Sequence, residues 1–263
     1  MSVIRAPEIT LERIAVAADA DAGLADLARR AVADVGADGV GGVIAATFSN
    51  PDRFPSLAVR VCSWLHLPPE TPAFDLQMAC SAYPYAVYLA GRLAADTGRR
   101  VLVVDGDAQT PLVDGKDPAT GAIFSDAATA TVVSASPAAE SAFGFLSAYD
   151  TALACPAAGP IRMDGFKVFS FVATEVSKFL REFGDDFDVF APHQANPYMV
   201  RQLARSLGLA DRLLTVDPAR KNPGSCSVAM ALAENWERAR GRRALIAGFG
   251  AGYSASAGIV RIA

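Results

Sequence analysis

Histidine is scarce in this chain of 263 residues: only His66 and His193 occur, which leaves little material for a zinc site. Cysteine is scarce as well. Its four residues show no paired spacing, a pattern that suits a reducing cytoplasm better than a disulfide framework. No apolar run reaches transmembrane length, and Met1-Ser2-Val3-Ile4-Arg5-Ala6-Pro7 lacks the layout of a signal peptide. Basic charge is not in excess either, and a net charge of −4 argues against a polyanion-binding surface. A metal, a nucleic acid and a membrane are therefore not expected, and a cytoplasmic location is. What is present is apolar: hydrophobic residues make up 52% and charged residues 20%, which excludes a disordered chain. That length can bury a large core, as one α/β domain or as two fused halves.

Self-comparison favours two halves. Residues 31–38 end an amphipathic helix at Gly36, turn at Asp38 and lead through an apolar run, 40–48, to Ser49-Asn50. Residues 179–186 repeat the pattern and lead through 187–191 to Ala195-Asn196. A second echo keeps a similar offset: Gly98-Arg99-Arg100 precedes Val101-Leu102-Val103-Val104, and Gly241-Arg242-Arg243 precedes Ala244-Leu245-Ile246-Ala247. Helices alternating with continuous apolar strands imply mostly parallel, covered sheets. The expected halves are 1–150 and 151–263, the first carrying a nucleophile and the second its partners. Sites in such folds gather at the carboxyl ends of strands.

Cys80 sits at one such end. It closes a short strand and turn, 73–79, and opens a helix with an apolar stripe, 81–93. Its sulfur would lie near unpaired N–H groups and the positive end of the helix dipole, which favour thiolate. A buried free cysteine is also an ordinary small core residue. His193 follows a strand ending at Ala191-Pro192, and Asn222 follows a strand over 213–216. Either could be structural: a hydrogen-bonding histidine, or an Asn-Pro-Gly turn. Gly248-Phe249-Gly250-Ala251-Gly252 reads as a tight turn whose N–H groups could hold an oxyanion. Together these residues suit carbon–carbon bond formation through a thioester. The thiolate would take the acyl group. His193 and Asn222 would donate to the carbonyl of a malonyl-type unit as carbon dioxide leaves.

Ala79-Cys80-Ser81, Pro192-His193-Gln194-Ala195-Asn196, Lys221-Asn222-Pro223-Gly224-Ser225 and the glycine-rich segment resemble, in order and spacing, the motifs of the β-ketoacyl-ACP synthase III family of the thiolase superfamily. Phe54-Pro55-Ser56, Asp126-Ala127-Ala128 and Met163-Asp164-Gly165 followed by Val168-Phe169 extend the likeness, which runs from about Glu12 to the last residue. The resemblance implies a duplicated five-layered α-β-α-β-α fold with two mostly parallel or mixed sheets. It implies a Cys80, His193, Asn222 triad with an oxyanion hole of the Cys80 and Ala251 backbone N–H groups. Phe54, Phe169, Asn196 and Gly250 would contact substrate, Phe54 by reaching toward a partner's acyl tunnel. No cofactor is implied beyond substrates carried on the phosphopantetheine of an acyl carrier protein or on coenzyme A. The implied assembly is a homodimer or a heterodimer with a related ketosynthase.

The chain departs from that family in places. The usual N-terminal strand and the segment after it, source of a tryptophan and an arginine that clamp adenine, are missing or replaced by residues 1–11. Thr120 stands where an arginine commonly holds the nucleotide, and Tyr198 replaces a basic residue. Ser81-Ala82-Tyr83 differs from the commoner Ser/Ala-Gly-Phe, which could reshape the acyl pocket. An acyl carrier protein is thus the expected donor, docking at Arg201 and Arg205, four apart on one helical face, although a solvated surface would place them the same way. Two other readings stay open: acyl transfer from Cys80 to an alcohol or amine, and a subunit that supports a longer ketosynthase.

Overall fold

A computed structural model describes residues 3–117 and 120–263. Its strands are β1 (Ile4–Ala18), β2 (Val40–Ala46), β3 (Ala73–Leu76), β4 (Arg100–Asp107), β5 (Ala127–Ser147), β6 (Leu153–Ala154), β7 (Arg162–Met163), β8 (Val189–Pro192), β9 (Arg243–Gly250) and β10 (Ser254–Ile262). The helices are α1 (Leu24–Val35), α2 (Leu57–Trp64), α3 (Ala82–Thr97), α4 (Gly165–Phe171), α5 (Ser177–Arg181), α6 (Pro197–Leu207), α7 (Ser227–Glu234) and α8 (Trp236–Ala239). The fold is thiolase-like α/β. Three apolar cores separate its five layers. One lies between α1, α2 and the strands β2, β4 and early β5. A middle one encloses α3 and α7, and the third lies between β8, β9, β10 and the run α4 to α6.

The residues explain the layering. In α1 the buried side chains Leu24, Leu27, Ala28, Ala31, Val32 and Val35 recur at helical spacing on one face, so this helix covers a sheet from outside. In α7 every residue from Ser227 to Leu232 is buried, the mark of a helix with sheets on both sides. All seven residues of β2 are buried for the same reason: helices cover both its faces.

The two expected sheets are joined. Eight strands form one hydrogen-bonded run in the order β3-β2-β4-β5-β1-β10-β9-β8. The strand β5 is long enough to serve both leaves: Ala127 to Val133 pairs with β4, and Ala142 to Ser147 pairs with β10. Beside it β1 makes the same crossing, with register shifts at Pro7/Glu8 and Leu11/Arg13 that bend the ladder. Pairing is mixed: β2 is parallel to β3 and β4, β8 to β9, and β1 to β10, while β5 is antiparallel to β1, β4 and β10, and β9 is antiparallel to β10. Residues 4–18, where the usual first strand is not recognisable in the sequence, form a strand all the same.

Two sequence expectations change. The segment 213–216 is not a strand; Leu213 makes a single bridge to Phe190. The glycine-rich segment is not a turn throughout, because Gly248, Phe249 and Gly250 finish β9 and pair with β10.

Candidate functional site

After β3 the chain makes one 3-10 turn, Ala79–Ser81, and then enters α3. Cys80 lies inside that turn, 6% exposed. Its place is fixed by what crosses above it. A Cβ on Gly248 would fall 2.7 Å from the Cys80 carbonyl oxygen and 2.9 Å from Ser81 Cα, so no larger residue fits. On Gly250, with φ +152°, a Cβ would stand 3.2 Å from Cys80 Sγ. The spacing of the two glycines on β9 thus mirrors the close approach of the cysteine turn. Ser256 Oγ donates to the Ser81 carbonyl at 2.6 Å, and the Ser81 and Ser254 hydroxyls lie 2.7 Å apart, locking the turn to β10.

The expected preference for thiolate is not met in the resting site. Burial pushes the Cys80 thiol up to about 11; backbone N–H groups of Ala251 and Cys80 oppose the rise, while the Asp107 and Asp105 carboxylates add to it. Helix N–H groups do not offset the loss of water around so buried a sulfur. The two opposing N–H groups are the pair expected to form the oxyanion hole, and both act on the sulfur.

His193 follows β8 directly and is 2% exposed. Its backbone N–H donates to the Ala247 carbonyl at 2.7 Å, and its ring meets Phe249 edge-on with centroids 5.6 Å apart. Nδ1 lies 2.9 Å from Ser227 Oγ, which also accepts from the Gln194 N–H at 3.0 Å. When Ser227 Oγ turns its hydrogen toward Nδ1 while accepting from Gln194, Nδ1 is the acceptor of the ring. The neutral imidazole then carries its hydrogen on Nε2. Neutral it remains, because burial pulls its pKa down to about 4, with the Gly224 backbone acting more weakly the other way.

Asn222 is 5% exposed. Its Oδ1 accepts from the Gly224 N–H at 3.0 Å, which leaves the N–H2 end of the amide for other partners. Its backbone N–H donates to the Ile123 carbonyl at 3.0 Å. Gly250 thus packs beside Cys80 with no room for a side chain, His193 rests on neighbouring Phe249, and Gly224, which acts on His193, is tied to Asn222. One neighbourhood holds all three.

Beside Cys80 lies a cavity of about 1250 Å³. Cys80, Ala251, Phe48, Gln109, Leu153 and Cys155 are on its wall; His193 and Asn222 are not. Phe124, also on the wall, bridges to Asn222 through the backbone.

The other expected contacts are more dispersed. Gly250 packs beside Cys80, but Phe54 is 84% exposed and Asn196 is an exposed helix cap, its Oδ1 accepting from the Met199 N–H at 2.8 Å. Phe169 is half-buried and stacks on Tyr198, centroids 6.2 Å apart. Arg201 and Arg205 are both exposed on α6. Thr120 is fully buried and donates through Oγ1 to Asp117 Oδ2 at 2.6 Å.

Sequence reasoning passed over two carboxylates. Asp107, fully buried, accepts through Oδ1 from Thr47 Oγ1, Phe48 N–H and Ser49 N–H at 2.8, 2.9 and 3.1 Å, and burial raises it to about 6. Asp105, two residues earlier on β4, is raised well above the carboxylate range, also by burial first. The signal was available: acids in Val103-Val104-Asp105-Gly106-Asp107 interrupt an apolar strand. Among the described residues no group of three or more His, Cys, Asp or Glu could hold a metal ion, and no helix is long and apolar enough to cross a membrane.

The family profile of 3-oxoacyl-[acyl-carrier-protein (ACP)] synthase III matches residues 74–152, and its C-terminal counterpart matches 184–262. The chain is 30% identical to a β-ketoacyl-[acyl-carrier-protein] synthase III of Sphingopyxis alaskensis, over 90% of this chain and 82% of that one. A 3-oxoacyl-(acyl-carrier protein) synthase from Burkholderia xenovorans shares the fold, with a TM-score of 0.91, 23% identity and coverage of 99% of this chain and 96% of that one. The priming β-ketosynthase of the R1128 polyketide biosynthetic pathway is 28% identical with a TM-score of 0.74, covering 87% of this chain and 77% of that one.

Proposed function

Because this chain belongs to the 3-oxoacyl-[acyl-carrier-protein] synthase III family, a family of condensing acyltransferases, we propose that Cys80 carries the acyl group and that His193 and Asn222 serve the decarboxylation. The pathway class is fatty-acid or polyketide-type biosynthesis. The observation that carries this reading is the close packing of Gly250 beside Cys80, where a Cβ would stand 3.2 Å from the sulfur, with neutral His193 against the adjoining Phe249. We take residues 1–150 and 151–263 as the two halves that bring nucleophile and donors together.

In the first half-reaction the Cys80 sulfur attacks the carbonyl carbon of a thioester. The bond to the carrier's sulfur breaks, and the departing thiolate takes up the proton that Cys80 loses. A thiol near 11 is poorly ionised, so the N–H groups of Cys80 and Ala251 contribute most by holding the charge that develops on the carbonyl oxygen. In the second, the bond from the malonyl carbon to its carboxylate breaks and the electron pair passes to an enolate. Nε2–H of His193 and Nδ2–H of Asn222 donate to the enolate oxygen. A charged imidazolium would be expensive to bury and is not needed; two neutral donors suffice. The enolate carbon then attacks the acyl carbonyl, and Cys80 leaves as thiolate to regain its proton.

An acyl carrier protein is the proposed donor and extender carrier, docking at Arg201 and Arg205, two exposed cations with no ion-pair partner among the described residues. The buried, Asp117-bound Thr120 supports this, since it offers no cation to a nucleotide phosphate. A homodimer is supported by β3, an edge strand with Phe74 42% exposed, and by exposed Phe54 close by in sequence.

The test is mass spectrometry of the protein after exposure to one acyl group on a carrier protein and on coenzyme A, followed by malonyl-carrier. Expected are a Cys80 adduct, faster loading from the carrier protein, release of carbon dioxide and a β-ketoacyl product. Arg201→Glu with Arg205→Glu should slow carrier loading severalfold. An adduct that gives no carbon dioxide but transfers to an alcohol or amine would replace condensation with acyl transfer. Equal loading from coenzyme A, insensitive to the double charge reversal, would remove the carrier-docking part.

A further inference from the structure

The buried carboxyl of Asp105 has an arrangement that the proposed chemistry does not use. Oδ1 accepts from Ser225 Oγ at 2.5 Å, while Oδ2 is buried with no hydrogen-bond partner. Burying a charged group costs several kcal/mol, and burial does push the Asp105 carboxyl well above the ordinary carboxylate range. The groups that face it are Asp107 on its own strand, Cys80 in the cysteine turn, Tyr83 of α3, and Ser225 and Cys226 beyond Asn222. None is a cation. A strand that needed only to fill space would place an apolar residue here.

What the carboxyl does hold is a loop. Ser225 lies three residues beyond Asn222, in the 3-10 turn Gly224–Cys226 that leads into α7. On the near side Gln109, buried just past the end of β4, donates through Nε2 to the Asn222 carbonyl at 3.0 Å and to the Ser125 carbonyl at 2.9 Å. Gln109 is itself fixed, its N–H donating to Asp126 Oδ1 at 2.6 Å. The Asn222 loop is therefore gripped from both sides by side chains that issue from one strand end.

We propose that Asp105, through Ser225, and Gln109, through the Asn222 carbonyl, are positioning residues that aim the Asn222 amide for the decarboxylation step. The inference rests on the role given to Asn222 above. Loss of either grip lets the loop drift, and displacement of a reacting group by about 1 Å can cost on the order of 10²-fold in rate. Acyl loading, which uses Cys80 and Ala251, does not pass through this loop.

The experiment measures Cys80 acylation and malonyl-carrier decarboxylation separately in Asp105→Ala, Ser225→Ala, Asp105→Asn and Asn222→Ala. Asp105→Ala and Ser225→Ala are expected to lower kcat for carbon dioxide release by about 10- to 100-fold with KM little changed, and to keep acylation within about twofold. Asp105→Asn, which retains an acceptor for Ser225 without charge, should restore most of the rate. Equal loss of both half-reactions in Asp105→Ala and Ser225→Ala, or no rescue by Asp105→Asn, would overturn the positioning role. If Asp105→Ala does not fold, Ser225→Ala decides alone. Should Asn222→Ala itself fail to separate the half-reactions, the underlying reading fails rather than this one.

Discussion

The two edge strands of the sheet, β3 and β8, both run parallel to their neighbours and both lead through a short turn into a helix, yet the turns end differently. After β8 the helix α6 is closed. Asn196 caps it, Pro197 occupies its first turn, and His193 is held from outside by Ser227. After β3 no side chain caps the 3-10 turn or α3, so their first N–H groups are not claimed by a capping side chain. The uncapped junction is where a developing negative charge can be received. The capped one holds a rigid neutral donor. On the proposed function the two junctions would serve different halves of the reaction, and each prediction below tries to collapse that distinction.

Cys80→Ala carries the largest effect: the covalent acyl adduct should vanish, while His193→Ala should still load. Intact-mass measurement of both variants decides it. An undiminished adduct on Cys155, exposed on the same cavity, would move the nucleophile's role away from both junctions.

Asn222→Ala and His193→Ala come next. Each should lower carbon dioxide release from malonyl-carrier by on the order of 10²-fold or more, the scale of losing one donor to a developing oxyanion, with acylation retained. If acylation drops in parallel, the two junctions share one task and the division above is wrong.

How much of this was legible in the sequence follows from where each determinant lies along the chain. The junction around Cys80 was readable because strand, cysteine and helix are contiguous, residues 73–93. So was the junction of His193. The raised Cys80 thiol was not, because its causes are burial between layers and carboxylates on β4, which no local window contains. The supposed strand over 213–216 misled for a similar reason: its apolar residues satisfy a core, with Leu214 fully buried and its N–H donating to the Phe190 carbonyl at 2.8 Å, but the ladder goes no further. Glycines 248 and 250 read as a turn, although their small size answers to the cysteine turn packed against them. Asn196 belongs to a motif that suggested substrate contact, and the capping bond its Oδ1 makes to the Met199 N–H was not foreseen.

The pH dependence separates the junctions less sharply but without mutation. A folded histidine near 4, below the ordinary 6.5, stays neutral as pH falls from 8 to about 5, so the decarboxylation rate should be level across that range and drop only below it. The thiol's shift has the opposite sense: raised to about 11, it is roughly one part in ten thousand ionised at pH 7, so alkylation of Cys80 should climb about tenfold per pH unit well past 9. Carbon dioxide release and alkylation followed on one preparation check both. An inflection of decarboxylation near 6.5 that persists in Asp107→Asn, and so is not the titration of the carboxyl near 6, would mean that His193 titrates as a solvated ring, and a plateau of alkylation near 7 would mean that the uncapped helix start outweighs burial.

The smallest effect sharpens the comparison from the closed side. Asn196 Oδ1 satisfies one N–H of α6, and removing such a cap costs about 1 kcal/mol. For a chain of this size that corresponds to a fall in Tm of about 2 °C. Because Asn196 is exposed, truncation leaves water to take its place at the Met199 N–H, which keeps the cost at that modest level. Asn196→Ala should therefore lower Tm slightly in calorimetry while acyl loading and carbon dioxide release stay within about twofold, and Asn196→Asp, which also caps, should recover the Tm. A large loss in either half-reaction at unchanged Tm would make Asn196 a substrate contact after all, and would mean that the capped junction is open to substrate as the uncapped one is.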